Sequence, residues 1–144
     1  MNLIEVLFSP SLRTLEKEVF SQCKTLKVVT FAEGLESIGE KCFQQTGLSG
    51  RASNECPRTQ KSAFLECKYL TRVILPPRLQ SIRRACFSET ALEELVVPGS
   101  VVTLGAMVCF KCARLARVMF QEGLKGIGKL CFESIGIKNY FEEC

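Results

Sequence analysis

Apolar residues recur along the chain at fixed distances from a repeated leucine. Counting from that opening leucine, an aliphatic residue follows at three, an apolar residue at five, a leucine-like residue at nine, an isoleucine or leucine at twelve and a phenylalanine at seventeen. In the second copy these places are held by Leu26, Val29, Phe31, Leu35, Ile38 and Phe43. A recurring pattern of this length indicates stacked repeats, in which each copy buries its apolar face against its neighbours.

The phenylalanine is the clearest marker of the period. It recurs at Phe20, Phe43, Phe64, Phe87, Phe110 and Phe132, with steps of 23, 21, 23, 23 and 22 residues. The first, second, fourth and sixth copies follow the pattern without a gap. In this alignment the fifth copy needs one inserted residue before Phe110. The sequence therefore predicts about six repeats of about 23 residues.

Each repeat divides into three parts. The opening L-x-x-V-x-F segment alternates with period two and predicts a short strand. Turn formers such as EG, PP and PGS follow. Strings such as SIGEKCFQQTG then predict one or two turns of helix closed by a small residue. The predicted fold class is an α/β solenoid with about six strands in a parallel sheet on one face and short helical returns on the other.

These motifs resemble the leucine-rich repeats of the BspA-like surface-antigen type. The similarity lies in the pairs Ile38-Gly39, Leu104-Gly105 and Ile127-Gly128, and in a small residue before each phenylalanine, namely Cys42, Ala63, Cys86, Cys109 and Cys131. It covers about 130 of the 144 residues. The resemblance implies a curved, horseshoe-like solenoid used for adhesion or protein recognition, with no catalytic activity.

Two parts of the chain depart from that pattern. The third repeat replaces strand and turn apolars with Arg51, Ser53, Asn54 and Pro57. We therefore expect a loose coil, with the first proteolytic cuts at residues 49–61. The chain stops at IGIKNYFEEC, which resembles a seventh repeat cut short, so it begins and ends without a polar cap. We expect residues 1–144 to form one leucine-rich-repeat domain, able to self-associate through uncapped ends or to be a segment of a longer array.

Composition narrows the chemistry. The sequence contains no His, Asp or Trp, so the usual general base near neutral pH and the usual zinc ligand are missing. Basic and acidic residues are interspersed at a net charge of +4, and the basic clusters at 83–84 and 111–117 are read as solvated surface. We therefore expect no catalytic residues, no cofactor and no nucleic-acid partner.

Targeting signals do not assign a location. The first ten residues lack the basic start and apolar run of a signal peptide, and no apolar stretch reaches the length of a membrane span. The expected location is the cytoplasm if the chain is complete. It is the cell surface if the chain is a fragment of a BspA-like protein.

The nine cysteines have three interpretations. Seven of them fall just before, or two or three residues after, the repeated phenylalanine, where Cys acts as a small buried hydrophobe. Neighbouring coils are close enough for disulfides between Cys86, Cys109 and Cys131 in an oxidising compartment. The single CxxC, Cys109 to Cys112, has the spacing of a redox or metal site. We favour buried thiols without metal and keep a cysteine-based redox or metal-binding protein as the alternative function.

Strand alternation predicts the binding surface. Residues two and four after each opening leucine point out of the sheet. The four-after column is Leu7, Thr30, Ala52, Ile74, Val96 and Met119, and the two-after column is Glu5, Val28, Gly50, Arg72, Glu94 and Arg117. The partner-binding residues predicted from these columns, called the recognition face below, are Arg72, Ile74, Glu94, Val96, Arg117 and Met119. An apolar stripe between charges favours a protein partner.

Overall fold

The chain is described by a computed structural model for residues 3–31, 34–53, 58–136 and 142–143. For 51–53 and 142–143 the description covers the backbone. Six coils are numbered here by their opening leucines: Leu3, Leu26, Leu48, Leu70, Leu92 and Leu115. Asn54 and Pro57 lie outside the described residues, so the expected cleavage at 49–61 stays a prediction.

The described residues contain twelve short strands, all paired in parallel. In chain order they are β1 (Glu5–Leu7), β2 (Thr14–Leu15), β3 (Val28–Thr30), β4 (Ser37–Ile38), β5 (Ser49–Ser53), β6 (Tyr69–Ile74), β7 (Ser81–Ile82), β8 (Glu94–Val97), β9 (Thr103–Leu104), β10 (Arg117–Phe120), β11 (Gly126–Ile127) and β12 (Glu142–Glu143). A parallel solenoid is therefore confirmed.

The strands form two sides of the solenoid, one called the long side because most of its strands are longer, and one made of two-residue strands. On the long side, β1 pairs with β3, and β5, β6, β8, β10 and β12 form a five-stranded sheet. On the other side, β2 pairs with β4, and β7, β9 and β11 form a three-stranded sheet. A bridge between Ile38 and Thr59 joins coils two and three there.

The predicted helical returns are wrong, because the described residues contain no helix. Each return places two residues in the left-handed region, as at Lys41 (φ 56°) and Gln45 (φ 55°), which a right-handed helix does not accommodate. Its amides bond to the next coil instead. Phe20 N donates to Cys42 O at 2.9 Å, and Phe43 N to Ala63 O at 2.8 Å. The fold is therefore an all-β solenoid instead of an α/β one.

The core is a column of stacked aromatic rings surrounded by leucines. Ring centroids lie 5.4 Å apart for Phe20 and Phe43, 5.4 Å for Phe43 and Phe64, and 5.7 Å for Phe64 and Phe87. The opening leucines of coils two to six are buried beside them. The recurrence of one residue type at one place in the repeat thus becomes a continuous apolar interior.

Coil five breaks this aromatic column, and here the sequence alignment was wrong. Phe87 N donates to Val108 O at 3.0 Å, and Cys109 N to Cys131 O at 2.9 Å. Cys109 therefore lies in line with Phe87 and Phe132, while Phe110 is only half-buried beside it. No inserted residue is needed, since Cys109 is the seventeenth residue after Leu92.

The register of coil three also differs from the predicted one. Its strand β5 pairs with β6 over five residues, while the expected looseness of the whole coil stays a prediction. At a register shift between Gly50 and Arg51, with Gly50 at φ 69°, Thr71 is the extra residue on β6, as in a β-bulge. As a result Arg51 pairs with Arg72 and Ser53 with Ile74, whereas the predicted columns used Gly50 and Ala52.

Candidate binding face

Strand register places the charged residues of the recognition face side by side. Arg72 pairs with Glu94, and Glu94 with Arg117. Arg72 Nη2 lies 3.3 Å from Glu94 Oε2, with both side chains partly exposed. An exposed pair of this kind contributes little to folding, up to about 1 kcal/mol. The result of this pairing is that charges of alternating sign lie side by side on three neighbouring strands.

The apolar residues of the face line up in the same way. Val96 pairs with Met119, and Ile74 lies two residues beyond the Arg72–Glu94 pair on β6. Ile74 is 38% exposed, while Val96 and Met119 are half-buried. The burial pattern of β8, half-buried and buried in alternation, is that of a strand with one face in the core.

A shallow groove adjoins this stripe, and part of its lining was not predicted from the sequence. A cavity of about 300 Å³ runs between Ile74 and Val96 toward Pro77, Pro98 and Gln121. A smaller one of about 170 Å³ lies between the stripe and the Arg72–Glu94 pair. The prolines belong to the turns that follow β6 and β8. From the sequence, the PP and PGS motifs are predicted only to form turns.

Two buried cysteines, Cys67 and Cys112, form part of a hydrogen-bonded ladder in the core. The third residue after each phenylalanine position alternates Cys23, Thr46, Cys67, Thr90 and Cys112. Cys67 Sγ donates to Phe43 O at 3.0 Å and lies 3.3 Å from Thr46 Oγ1. Cys112 repeats both contacts with Phe87 O and Thr90. The thiols therefore satisfy buried polar groups.

Burial controls the ionisation of most of these thiols. It raises the pKa of Cys86 to about 12 and that of Cys67 to about 11. In the CxxC, a hydrogen bond from Cys109 lowers the pKa of Cys112 to about 7, and the same contact raises the pKa of Cys109. Both residues are buried. Among the described residues, no group of three metal-ligating side chains converges.

We expect thiol titration to separate Cys23 from the other described cysteines. Cys23 is half-buried, whereas Cys42, Cys67, Cys86, Cys109, Cys112 and Cys131 are buried. Replacing Cys23 with serine should remove one fast equivalent of reaction with a thiol reagent in the native protein. Cys86→Ser should leave the fast phase unchanged and remove one equivalent after denaturation. Loss of a fast equivalent in Cys86→Ser would contradict the inward placement.

Sequence comparison assigns the family. The BspA-type leucine-rich repeat region matches residues 1–108 and 51–142, with six copies. The chain belongs to this family. Among curated proteins, no sequence matches it.

Solved structures show the same fold at low identity. The pneumococcal vaccine antigen PcpA is 18% identical with a TM-score of 0.68, over 96% of this chain and 50% of that one. The T. pallidum leucine-rich repeat protein TpLRR is 22% identical with a TM-score of 0.71, over 89% and 70%. A leucine-rich cell surface protein from Faecalibacterium prausnitzii A2-165 is 20% identical with a TM-score of 0.61, over 82% and 39%. The chain thus spans half or less of two of these relatives.

The leucine-rich-repeat fold is one commonly used for protein–protein interaction. The cysteine-based redox or metal-binding alternative gains no support from the comparisons. In the described part of the chain, no helix has the length and apolar character needed to span a membrane.

Proposed function

We propose that the chain is a protein-recognition module that binds its partner through the recognition face and carries out no catalysis. The observation that supports this most directly is the partly exposed Ile74, Val96 and Met119 stripe beside charges that alternate in sign on adjacent strands. Apolar side chains supply contact area in protein interfaces, while a charged rim selects the partner. The lack of His and Asp in the sequence supports a non-enzymatic role.

The geometry favours a partner with a ridge of matching shape. The groove lined by Ile74, Val96, Pro77 and Pro98, about 300 Å³ in volume, has room for one or two apolar side chains. A contact centred there would bury the aliphatic stripe and leave Arg72 and Arg117 at its margin. Self-association stays a separate prediction.

We expect the triple variant Ile74→Thr, Val96→Thr, Met119→Ser to lose partner binding and keep its fold. The partner would be recovered with the intact protein as bait, purified, and titrated against each variant by calorimetry. Affinity should fall on the order of 100-fold, because loss of central apolar contacts typically costs about 1 kcal/mol or more per residue. Circular dichroism and the melting transition should change little.

A matched control removes exposed apolar side chains elsewhere. Val102, Ile127 and Leu130 are 42%, 43% and 53% exposed and lie off this sheet. The variant Val102→Thr, Ile127→Thr, Leu130→Ser should therefore bind normally. The proposal fails if the stripe variant binds as tightly as the intact protein, or if the two variants lose affinity equally.

A further inference from the structure

The corners that lead from each phenylalanine position into the next sheet strand alternate in length. Coils one, three and five have five residues there, at 21–25, 65–69 and 110–114, and are called the long corners. Coils two and four have four, at 44–47 and 88–91, and are called the short corners. Long corners carry Lys24, Lys68, Lys111 and Arg114, whereas the short corners end in Gly47 and Ala91. The result is a row of basic ridges separated by gaps.

The first gap, over Gly47, is a groove of about 330 Å³. Lys24 and Lys27 line one side, and Lys68 with the 61% exposed Tyr69 lines the other. Lys27 Nζ lies 5.2 Å from the centre of the Tyr69 ring. A side chain at Gly47 cannot fill this gap, since its Cβ would lie 2.2 Å from Lys24 O.

The second gap, over Ala91, is a groove of about 350 Å³. Lys68 again forms one side, and Lys111 and Arg114 form the other. The two grooves therefore share Lys68. Neighbouring strands of a sheet lie about 4.8 Å apart, so grooves two coils apart repeat at roughly 10 Å along the solenoid.

Each groove also contains one carboxylate, which restricts the ligand. Glu66 lies in the first groove, where Gln45 Nε2 donates to its Oε2 at 2.8 Å, and Glu89 lies in the second. The cations attract an anionic chain, but the carboxylates repel one that is charged along its whole length. A peptide in which carboxylates alternate with backbone amides suits the cations and the carboxylates alike, because Glu66 and Glu89 can accept hydrogen bonds from its N–H groups.

We propose that the two grooves bind an extended acidic peptide segment with a carboxylate at about every third residue. In the polyproline II conformation a chain has three residues per turn and rises about 3.1 Å per residue, so every third side chain lies on the same face and repeats at roughly 9 Å, close to the separation of the grooves. The peptide runs along the solenoid axis and crosses Lys68. This site lies at the corners before the strands, apart from the recognition face, and does not depend on the proposed function.

The test uses fluorescence anisotropy with a labelled synthetic peptide of about nine residues, roughly 30 Å long when extended, with Glu at every third position. A second peptide of the same composition places its glutamates together, and a sulfated oligosaccharide represents a continuous polyanion. The intact protein should bind the periodic peptide most tightly. Lys68→Ala should weaken that binding roughly 2- to 5-fold, and the triple variant Lys24→Ala, Lys68→Ala, Lys111→Ala on the order of tenfold or more.

Exposed lysines away from the corners provide the control. Lys125→Ala and Lys129→Ala remove the same charge, and each should leave the peptide affinity unchanged. All of these side chains are exposed, so circular dichroism should show intact folding throughout. The proposal is overturned if Lys125→Ala weakens binding as much as Lys68→Ala. It is also overturned if the clustered peptide binds as well as the periodic one, or if the sulfated oligosaccharide binds more tightly than either.

Discussion

Replacing Phe64 with alanine is expected to destabilise the protein by about 3–5 kcal/mol, the range for truncating a buried phenylalanine. Phe64 is fully buried, and its ring stacks between Phe43 at 5.4 Å and Phe87 at 5.7 Å. The substitution removes both aromatic contacts and leaves a cavity at the centre of the stack, where neighbouring coils cannot collapse without losing their backbone hydrogen bonds. Urea or guanidinium unfolding would measure the change in free energy.

The same substitution at Phe110 is the matched control. Phe110 is half-buried and lies outside the aromatic column, whose place in coil five is taken by the buried Cys109. We expect Phe110→Ala to cost about 1 kcal/mol, in line with partial loss of buried apolar area. If Phe110→Ala proves as costly as Phe64→Ala, the coil-five register described above is wrong.

The sequence predicts the register of a coil well where its two markers, the opening leucine and the phenylalanine, agree in spacing. It fails where they conflict. In coils one, two, four and six the opening leucine and the phenylalanine are seventeen residues apart. In coil five the two markers disagree by one residue, because Phe110 is the eighteenth residue after Leu92. The spacing determines which residue occupies the phenylalanine position, because the backbone of each coil must stay in hydrogen-bonding register with its neighbours.

The returns could not be recognised as non-helical from their residues. Their left-handed positions hold Glu18, Gln22, Lys41, Gln45, Ser62, Glu66, Ala85, Glu89, Met107, Lys111, Leu130 and Ser134. None is Gly or Asn, the residues that usually mark such a conformation. What holds the backbone there is hydrogen bonding to the adjacent coil, a contact between residues about 22 apart in sequence. The local conformational preferences of these residues therefore do not indicate this hydrogen bonding between coils.

The two surfaces also differ in how far the sequence could predict them. The recognition face follows from strand alternation, and its register in coils four to six agrees with the predicted columns. That these residues bind a partner stays a prediction, as does a single domain over 1–144. The corner grooves were not predicted, because the alternation of long and short corners appears only after Cys109 is placed in register.

Replacing Gly128 with alanine is expected to destabilise the protein by about 1–3 kcal/mol, the usual cost of overpacking a close-packed site. A Cβ at Gly128 would lie 2.4 Å from Ala106 N and 2.5 Å from Gly105 C. Both atoms belong to the backbone of coil five, so no side-chain rotation relieves the clash. The coils must separate locally, which strains the 2.8 Å hydrogen bond from Gly128 N to Leu104 O.

Gly126, two residues earlier in the same coil, is the matched control. It tests whether the loss of stability comes from this close approach or from the loss of glycine itself. A Cβ there meets only Thr103 Cγ2, at the ordinary contact distance of 3.8 Å. Gly126→Ala should therefore be neutral or stabilise the protein by up to about 1 kcal/mol, through the lower entropy of the unfolded chain. Both variants would be compared by chemical denaturation. Equal free energies of unfolding for the two would show that the Ile-Gly pair of the repeat does not set the distance between coils, and that its glycine has another role.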